Sequence, residues 1–257
     1  MTPFDLIRYD VRDRVAEITM NRPPVNAINQ QLTREINDAY RRARDDENVR
    51  AVILTSACEK AFSAGMDLAM IRGGNGQDLR RFLEELYFGM HDLQYRMGKP
   101  TIAAVNGPAR AAGVTLAVSC DVIVMAEEAD LSYPEINVGV IPAMHFVHLP
   151  RQIGRHPAFE LLFTGDPIPA REAERRGLIN RAVPRAQVLD EARRLAQRFA
   201  AQSPVVMKLA RDSFMRANDG DYRRAIENVV ETICNIIATP EAQEGLNAFN
   251  EKRRPDW

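Results

Sequence analysis

The stretch TIAAVNGPARAAGVTLAVSCDVIVMA, residues 101–126, reads as strand, small-residue loop, helix and strand. TIAAV and DVIVMA are short, β-rich runs of the kind buried on both faces of a parallel sheet, and Ala111 to Ser119 between them has helical character. A strand that leaves through a loop and helix and returns as a second strand predicts parallel pairing and an α/β architecture. The same segment is the most apolar in the chain. It is interrupted by Asn106, Pro108, Arg110 and Asp121, so it falls short of the ~20 apolar residues that span a bilayer and reads as buried core.

Upstream, AVILT at 51–55 is another doubly buried strand, followed by the small-residue loop KAFSAGMDL at 60–68. Leu79 to Met97 predicts a helix ended by Gly98 and Pro100. Leu32, Ile36, Ala39, Tyr40 and Ala43 recur at helical spacing. Leu6 to Tyr9 and Val15 to Met20 form two hairpin strands around the charged turn Asp10 to Arg14. From Pro184 the chain becomes helical, around 189–201, 205–217, 222–237 and 240–249. This divides it into a mixed core, residues 1–184, and a helical region, residues 185–257.

The 257 residues carry 34 Lys+Arg against 35 Asp+Glu, so no overall field draws a polyanion or an anionic membrane surface; nucleic acid and membrane are excluded as first expectations. Cys58, Cys120 and Cys234 are odd in number and widely spaced, which suggests neither disulfides nor a zinc knuckle and fits a reducing cytoplasm. The charges of the first twenty residues leave no unbroken apolar run for a signal peptide, so no export is expected.

Most catalytic signatures are missing. GxSxG, GxxxxGK and GxGxxG do not occur, and the Gly73, Gly74, Gly76 cluster reads as a flexible loop. His145 and His148 could face one metal, but no HExxH frame or third clustered ligand accompanies them, so no metal is expected. The arginine pairs lie mostly beside acids, as on solvated helix faces. Of the four lysines, none has an obviously desolvating context except Lys208, which the helical period places at the surface.

Two small-residue loops remain, residues 60–68 and 106–121. Ala64, Gly65, Ala111, Ala112 and Gly113 leave backbone N–H groups uncovered, so one carbonyl oxygen could approach a donor from each loop, aided by the helix that the second loop opens. The alternative is that small residues simply allow tight strand–helix packing. Beyond them, Glu135 in LSYPEINVGVIP stands among apolar neighbours after Pro134; desolvation there would raise its pKa toward the range useful for proton transfer. A surface or capping role is the competing reading.

Those segments, with the run from Lys99 to Gly107, SCDVIVMAEEA at 119–129 and FTGDPIPAREAERRGLINRAVP at 163–184, resemble in order and spacing the enoyl-CoA hydratase/isomerase (crotonase) family. The match extends from NRPPVNAIN at 21–29 to the tail FNEKRRPDW. The resemblance implies a crotonase-like spiral of ββα units, closed by a C-terminal helical region that builds homotrimers or hexamers as dimers of trimers. It implies an acyl-CoA thioester substrate, coenzyme A being part of the substrate, with no permanently bound cofactor. The thioester oxygen would accept from the N–H groups of Met66 and Ala112. Val25, Ala27, Ala64, Asp67 and Leu68 match the CoA passage, and Lys252 a basic residue that approaches its phosphates. Glu135 matches one of the two glutamates of the family's hydratases; Thr115 stands where the other belongs and cannot serve as a general base at neutral pH. The family's glycine-rich turn after Pro142 is replaced by AMHFVH at 143–148, so Thr115 and His145 become acyl-pocket candidates and His145 a substitute proton donor or a packed helix residue. The expected function is proton transfer at a thioester enolate with a single glutamate, as hydration, dehydration or double-bond isomerisation. A non-catalytic acyl-CoA-binding assembly protein is the alternative.

Overall fold

The computed structural model describes residues 4–70, 76–218 and 220–256. β1 (Ile7–Arg12) and β2 (Val15–Met20) pair antiparallel, joined by Asp13 and Arg14, both at positive φ. The hairpin turn is therefore these two residues rather than the five from Asp10 to Arg14, and pairing continues up to it. Helix α1 (Gln30–Asp45) follows, with the Asn29 side chain accepting from the Leu32 N–H at 2.8 Å and Arg42 and Arg44 in its last turn, as the helix dipole favours. Its buried face carries Leu32, Ile36, Ala39, Tyr40 and Ala43, the positions that the helical period selects.

Strand β3 (Ala51–Ser56) leads through the 60–68 loop to α2 (Gly76–Leu83). A π-helical segment, Glu84–Gly89, separates α2 from α3 (Met90–Tyr95), so the expected helix over 79–97 is broken in register. Of the glycine cluster, Gly73 and Gly74 lie outside the described residues and Gly76 opens α2. β4 (Thr101–Val105), β5 (Ala109–Arg110) and α4 (Ala112–Val118) form the next unit. β6 (Val122–Ala126), β7 (Asp130–Ser132), a 3₁₀ turn over Pro134–Val138 and α5 (Ala143–Ile153) form another. Then come α6 (Arg155–Thr164), β8 (Ile168–Pro169), α7 (Ala170–Arg175), β9 (Arg181–Val183), and the helices α8 (Val188–Ala200), α9 (Pro204–Asn218), α10 (Tyr222–Ile236) and α11 (Pro240–Asn250).

The main sheet runs β1-β2-β3-β4-β6-β9 and is parallel from β2 onward. Every residue of β3 and β4 is buried, which explains their unbroken apolar runs. A second layer holds β5, β7 and β8, extended by isolated parallel bridges Ser63–Ala109 and Ile28–Met66. Each turn of the chain thus lays one strand in the main sheet, one short extended segment in the second layer, and then a helix. The result is a spiral of ββα units in which successive helix-opening loops stack on one another. Helix α8 packs across β2, β3, β4 and β6, while α10 lies against α5 and α2 and α11 against the 3₁₀ turn. The helical end thus shares one continuous hydrophobic core with the spiral.

Candidate active site

Stacking of the spiral brings the two small-residue loops into contact. Arg110 N–H donates to the Ser63 carbonyl at 3.0 Å, and Phe62 N–H to the Pro108 carbonyl at 3.0 Å. A Cβ on Gly65 (φ +89°) would stand 2.8 Å from the Arg110 carbonyl oxygen and 3.0 Å from the Ala111 Cβ; one on Gly113 would stand 2.7 Å from the Ser63 carbonyl oxygen. Only glycine permits an approach this close. Met66 and Ala112, next in sequence to Gly65 and Ala111, are therefore neighbours in space. Their peptide N–H groups have no acceptor among the described residues: the Ile28–Met66 bridge uses Gly65 O and Asp67 N, and Ala112 stands in the first turn of α4, where N–H groups have no partner within the helix.

Local backbone chemistry holds this geometry. Ala111 has φ +49° and ψ −120°, a conformation costly for a residue with a Cβ, and it turns the chain into the N-terminus of α4. Its N–H is fixed on the Ser132 carbonyl at 3.0 Å. Across the site, buried Asn26 donates from Nδ2 to Ser56 Oγ at 2.8 Å and to the Phe62 carbonyl at 3.0 Å. Its Oδ1 accepts from the Arg22 N–H at 2.8 Å. Asn26 escaped the sequence reading; its position inside PPVNAIN was the available signal.

Ser132, bonded to Ala111, ends β7 and is followed by Tyr133, Pro134 and Glu135, with Glu135 in the 3₁₀ turn. The residue as a whole is half-buried, but its Oε2 is enclosed and without a hydrogen-bond partner. Burial pushes its carboxyl up to about 8. The same carboxyl helps raise the pKa of Tyr87 and Tyr133, whose phenols are driven up chiefly by burial. Both tyrosines were missed, since an aromatic in an apolar run carries no chemical signature of its own.

The Thr115 and His145 candidates are brought together. His145 Nε2 lies 3.2 Å from Thr115 Oγ1 and 3.4 Å from the Ala111 carbonyl, and its ring meets Tyr133 edge-on at 4.6 Å between centroids. Its Nδ1 has no partner, and burial holds its pKa well below the usual imidazole value. The pair is thus a neutral imidazole and a hydroxyl, enclosed one helical turn from Ala112. Among the described residues no group of three His, Cys, Asp or Glu could hold a metal ion.

The residues expected along the CoA passage follow the first loop. Ala64 is exposed and donates its N–H to the Val25 carbonyl at 2.9 Å; Ala27, Asp67 and Leu68 are half-buried. Asp67 is paired with Arg22 at 2.8 Å, and Arg22 Nη1 donates to the Ala27 carbonyl at 2.6 Å. Arg22 therefore neutralises the acid and ties 22–27 to 64–68, a role that sequence alone did not show. Lys252 is exposed after α11, at φ +54°, and no described contact joins it to those residues.

This arrangement, free amide donors at two stacked loops and an enclosed carboxyl on the segment that Ser132 ties to the second of them, is suited to an acyl oxygen and a mobile proton. The family model for enoyl-CoA hydratase/isomerase matches residues 10–257. A probable mitochondrial enoyl-CoA hydratase of Dictyostelium discoideum is 36% identical over 96% of this chain and 88% of its own. A carnitinyl-CoA dehydratase of Escherichia coli K12 is 34% identical over 95% of this chain and 94% of its own. Among solved structures, an enoyl-CoA hydratase/isomerase of Xanthobacter autotrophicus Py2 superposes with a TM-score of 0.88 at 31% identity, covering 97% of this chain and 94% of its own. The chain belongs to the enoyl-CoA hydratase/isomerase family, and its ββα spiral is the crotonase fold.

Proposed function

We propose that the protein acts on an enoyl-CoA or its hydrated counterpart, holding the thioester oxygen on the N–H groups of Met66 and Ala112 while Glu135 transfers a proton at or near the α-carbon. The observation that carries this reading is the pair of unsatisfied amides at adjoining loops, one of them opening α4, with an unpartnered carboxyl three residues beyond the Ser132 that anchors Ala111. As the α-proton leaves, negative charge grows on the thioester oxygen, and each amide donor aimed at it is worth about 2.7–4 kcal/mol of barrier. Glu135 collects that proton and returns it along the acyl chain or, with water as partner, in hydration and dehydration. Thr115 and the neutral His145 take the place of a second carboxylate, able to orient a water or an acyl oxygen but not to accept a proton strongly. Coenzyme A enters as part of the substrate along Val25, Ala27, Ala64, Asp67 and Leu68, with Lys252 near its phosphates, and no permanently bound cofactor is required.

In the same reading residues 185–257 form the region that associates copies into trimers or dimers of trimers; in support, Val205, Val206, Leu209 and Phe214 of α9 are exposed. The three cysteines are free, as a reducing compartment such as the cytoplasm requires. The test is a Glu135→Gln variant assayed with 2-enoyl- and 3-enoyl-CoAs, scoring water addition separately from double-bond migration. Turnover should fall about 10²–10⁴-fold while acyl-CoA affinity stays within a few-fold. Unchanged turnover would remove Glu135 from the chemistry.

A further inference from the structure

A cavity of about 530 Å³ lies beyond the site just described, at the opposite end of α4. Three elements run from one to the other. On α4, Ala112 and Thr115 lead to Val118 and, just past the helix end, Ser119; Ser119 Oγ donates to the Thr115 carbonyl at 2.7 Å. On α5, His145 leads to His148 and Gln152, the first two rings 6.0 Å apart between centroids. Tyr87, beside Glu135, leads to His91 and Tyr95 on α3. His148, Gln152, Ser119, His91 and Tyr95 all line the cavity, so its inner wall stands one helical turn from the Thr115–His145 pair. The rise of a helix puts Ser119 about 10 Å from Ala112, roughly two turns.

The walls are adaptable and apolar, with Met144, Met207, Met215 and Phe199, yet, besides both side-chain amide atoms of Gln94, two enclosed polar atoms have no hydrogen-bond partner. One is Nη1 of Arg211, a residue only 7% exposed whose Nε and Nη2 both donate to Asp121 at 3.0 Å. The other is Nε2 of His148. Enclosed polar atoms without partners are costly, so they point to a guest that supplies them. That guest carries no charge at this end: Asp121 already neutralises Arg211, and burial holds His148 down at about 4, neutral near pH 7.

Resting on the acyl-CoA reading above, we propose that this cavity is the far end of the acyl pocket and selects an elongated acyl chain ending in an uncharged hydrogen-bonding group such as a hydroxyl. The chain's apolar body would lie against the methionines and Phe199, and its terminal oxygen would meet Arg211 Nη1 and His148 Nε2.

The experiment measures by calorimetry the Kd of 2-octenoyl-CoA, its terminal-hydroxyl derivative and its terminal-carboxyl derivative on the full chain. The same titrations follow on His148→Phe and Arg211→Gln, each checked for folding by thermal melting. One good hydrogen bond predicts that the hydroxyl ligand binds about tenfold tighter than the plain one, with the ratio shrinking toward one in at least one variant. A wild-type ratio within about twofold, a ratio unchanged in both variants, or tightest binding of the carboxyl ligand overturns the inference while leaving the acyl-CoA reading intact. If either variant fails to fold, the wild-type ratios alone decide. If none of the three ligands binds the wild type, the acyl-CoA reading itself fails and this inference falls with it.

Discussion

In the proposed reaction, Glu135 is the residue on which chemistry and stability meet. Its carboxyl is pushed from 4.5 to about 8, so protonation favours the folded state. That contribution is complete below the unfolded value and is lost as pH rises through about 8. Glu135→Gln, neutral at every pH, should therefore be more stable than the parent above pH 8, by about 2 kcal/mol after discounting for the half-buried residue, with the difference vanishing below pH 4.5. Thermal melts of both proteins across that range check it; a constant offset would mean that the carboxyl is not desolvated. On the proposed chemistry, the same shift governs proton removal. Exchange of the α-proton of a bound saturated acyl-CoA with deuterated solvent should accelerate with pH until about 8 and then level off, since only the carboxylate can accept. A profile flat between pH 5 and 8 would contradict this.

At the scale of elements, everything depends on how closely the two loops stack. Gly113 tests that spacing: an added Cβ would meet Ser63 backbone and side chain at 2.7–3.0 Å. Gly113→Ala should lower stability by about 1–3 kcal/mol and kcat/KM by tenfold or more, because the loops must separate to admit the methyl. Melting temperature and steady-state kinetics read the two effects, and a variant with parental values for both would show that the spacing is slack. These loops were legible in the sequence because small residues follow buried strands, and periodicity found α1. The π-helical segment 84–89 was not, since its residues keep a helical period while the ladder shifts register. Nor were β5, β7 and β8, which are two or three residues long and acquire meaning only from the layer they join.

For the molecule as a whole, the sequence showed a mixed core and a helical end but not how they interlock. Helix α8 belongs to the main sheet's packing, a long-range relation that local patterns do not encode. The exposed Val205, Val206, Leu209 and Phe214 of α9 are the clearest large apolar face left over. We expect sedimentation at the mass of three or six copies, with the doubly charged variant Val206→Glu, Leu209→Glu shifting the population toward one; a parent that sediments as a single copy would refute the association. The site residues divide similarly. Of the proposed ones, Glu135 stands out by its apolar setting and Met66 and Ala112 by the family resemblance, whereas Tyr87, Tyr133 and Arg211 became visible only when distant segments met.

The most direct trial of the account is the carbonyl stretch of an enoyl thioester, labelled at its carbonyl carbon and bound to the Glu135→Gln variant, recorded by infrared difference spectroscopy. Two amide donors on one oxygen should draw electron density toward it and move the band below its frequency in water. A band at or above the aqueous frequency would mean that Met66 and Ala112 do not grip the oxygen, and the account would fall.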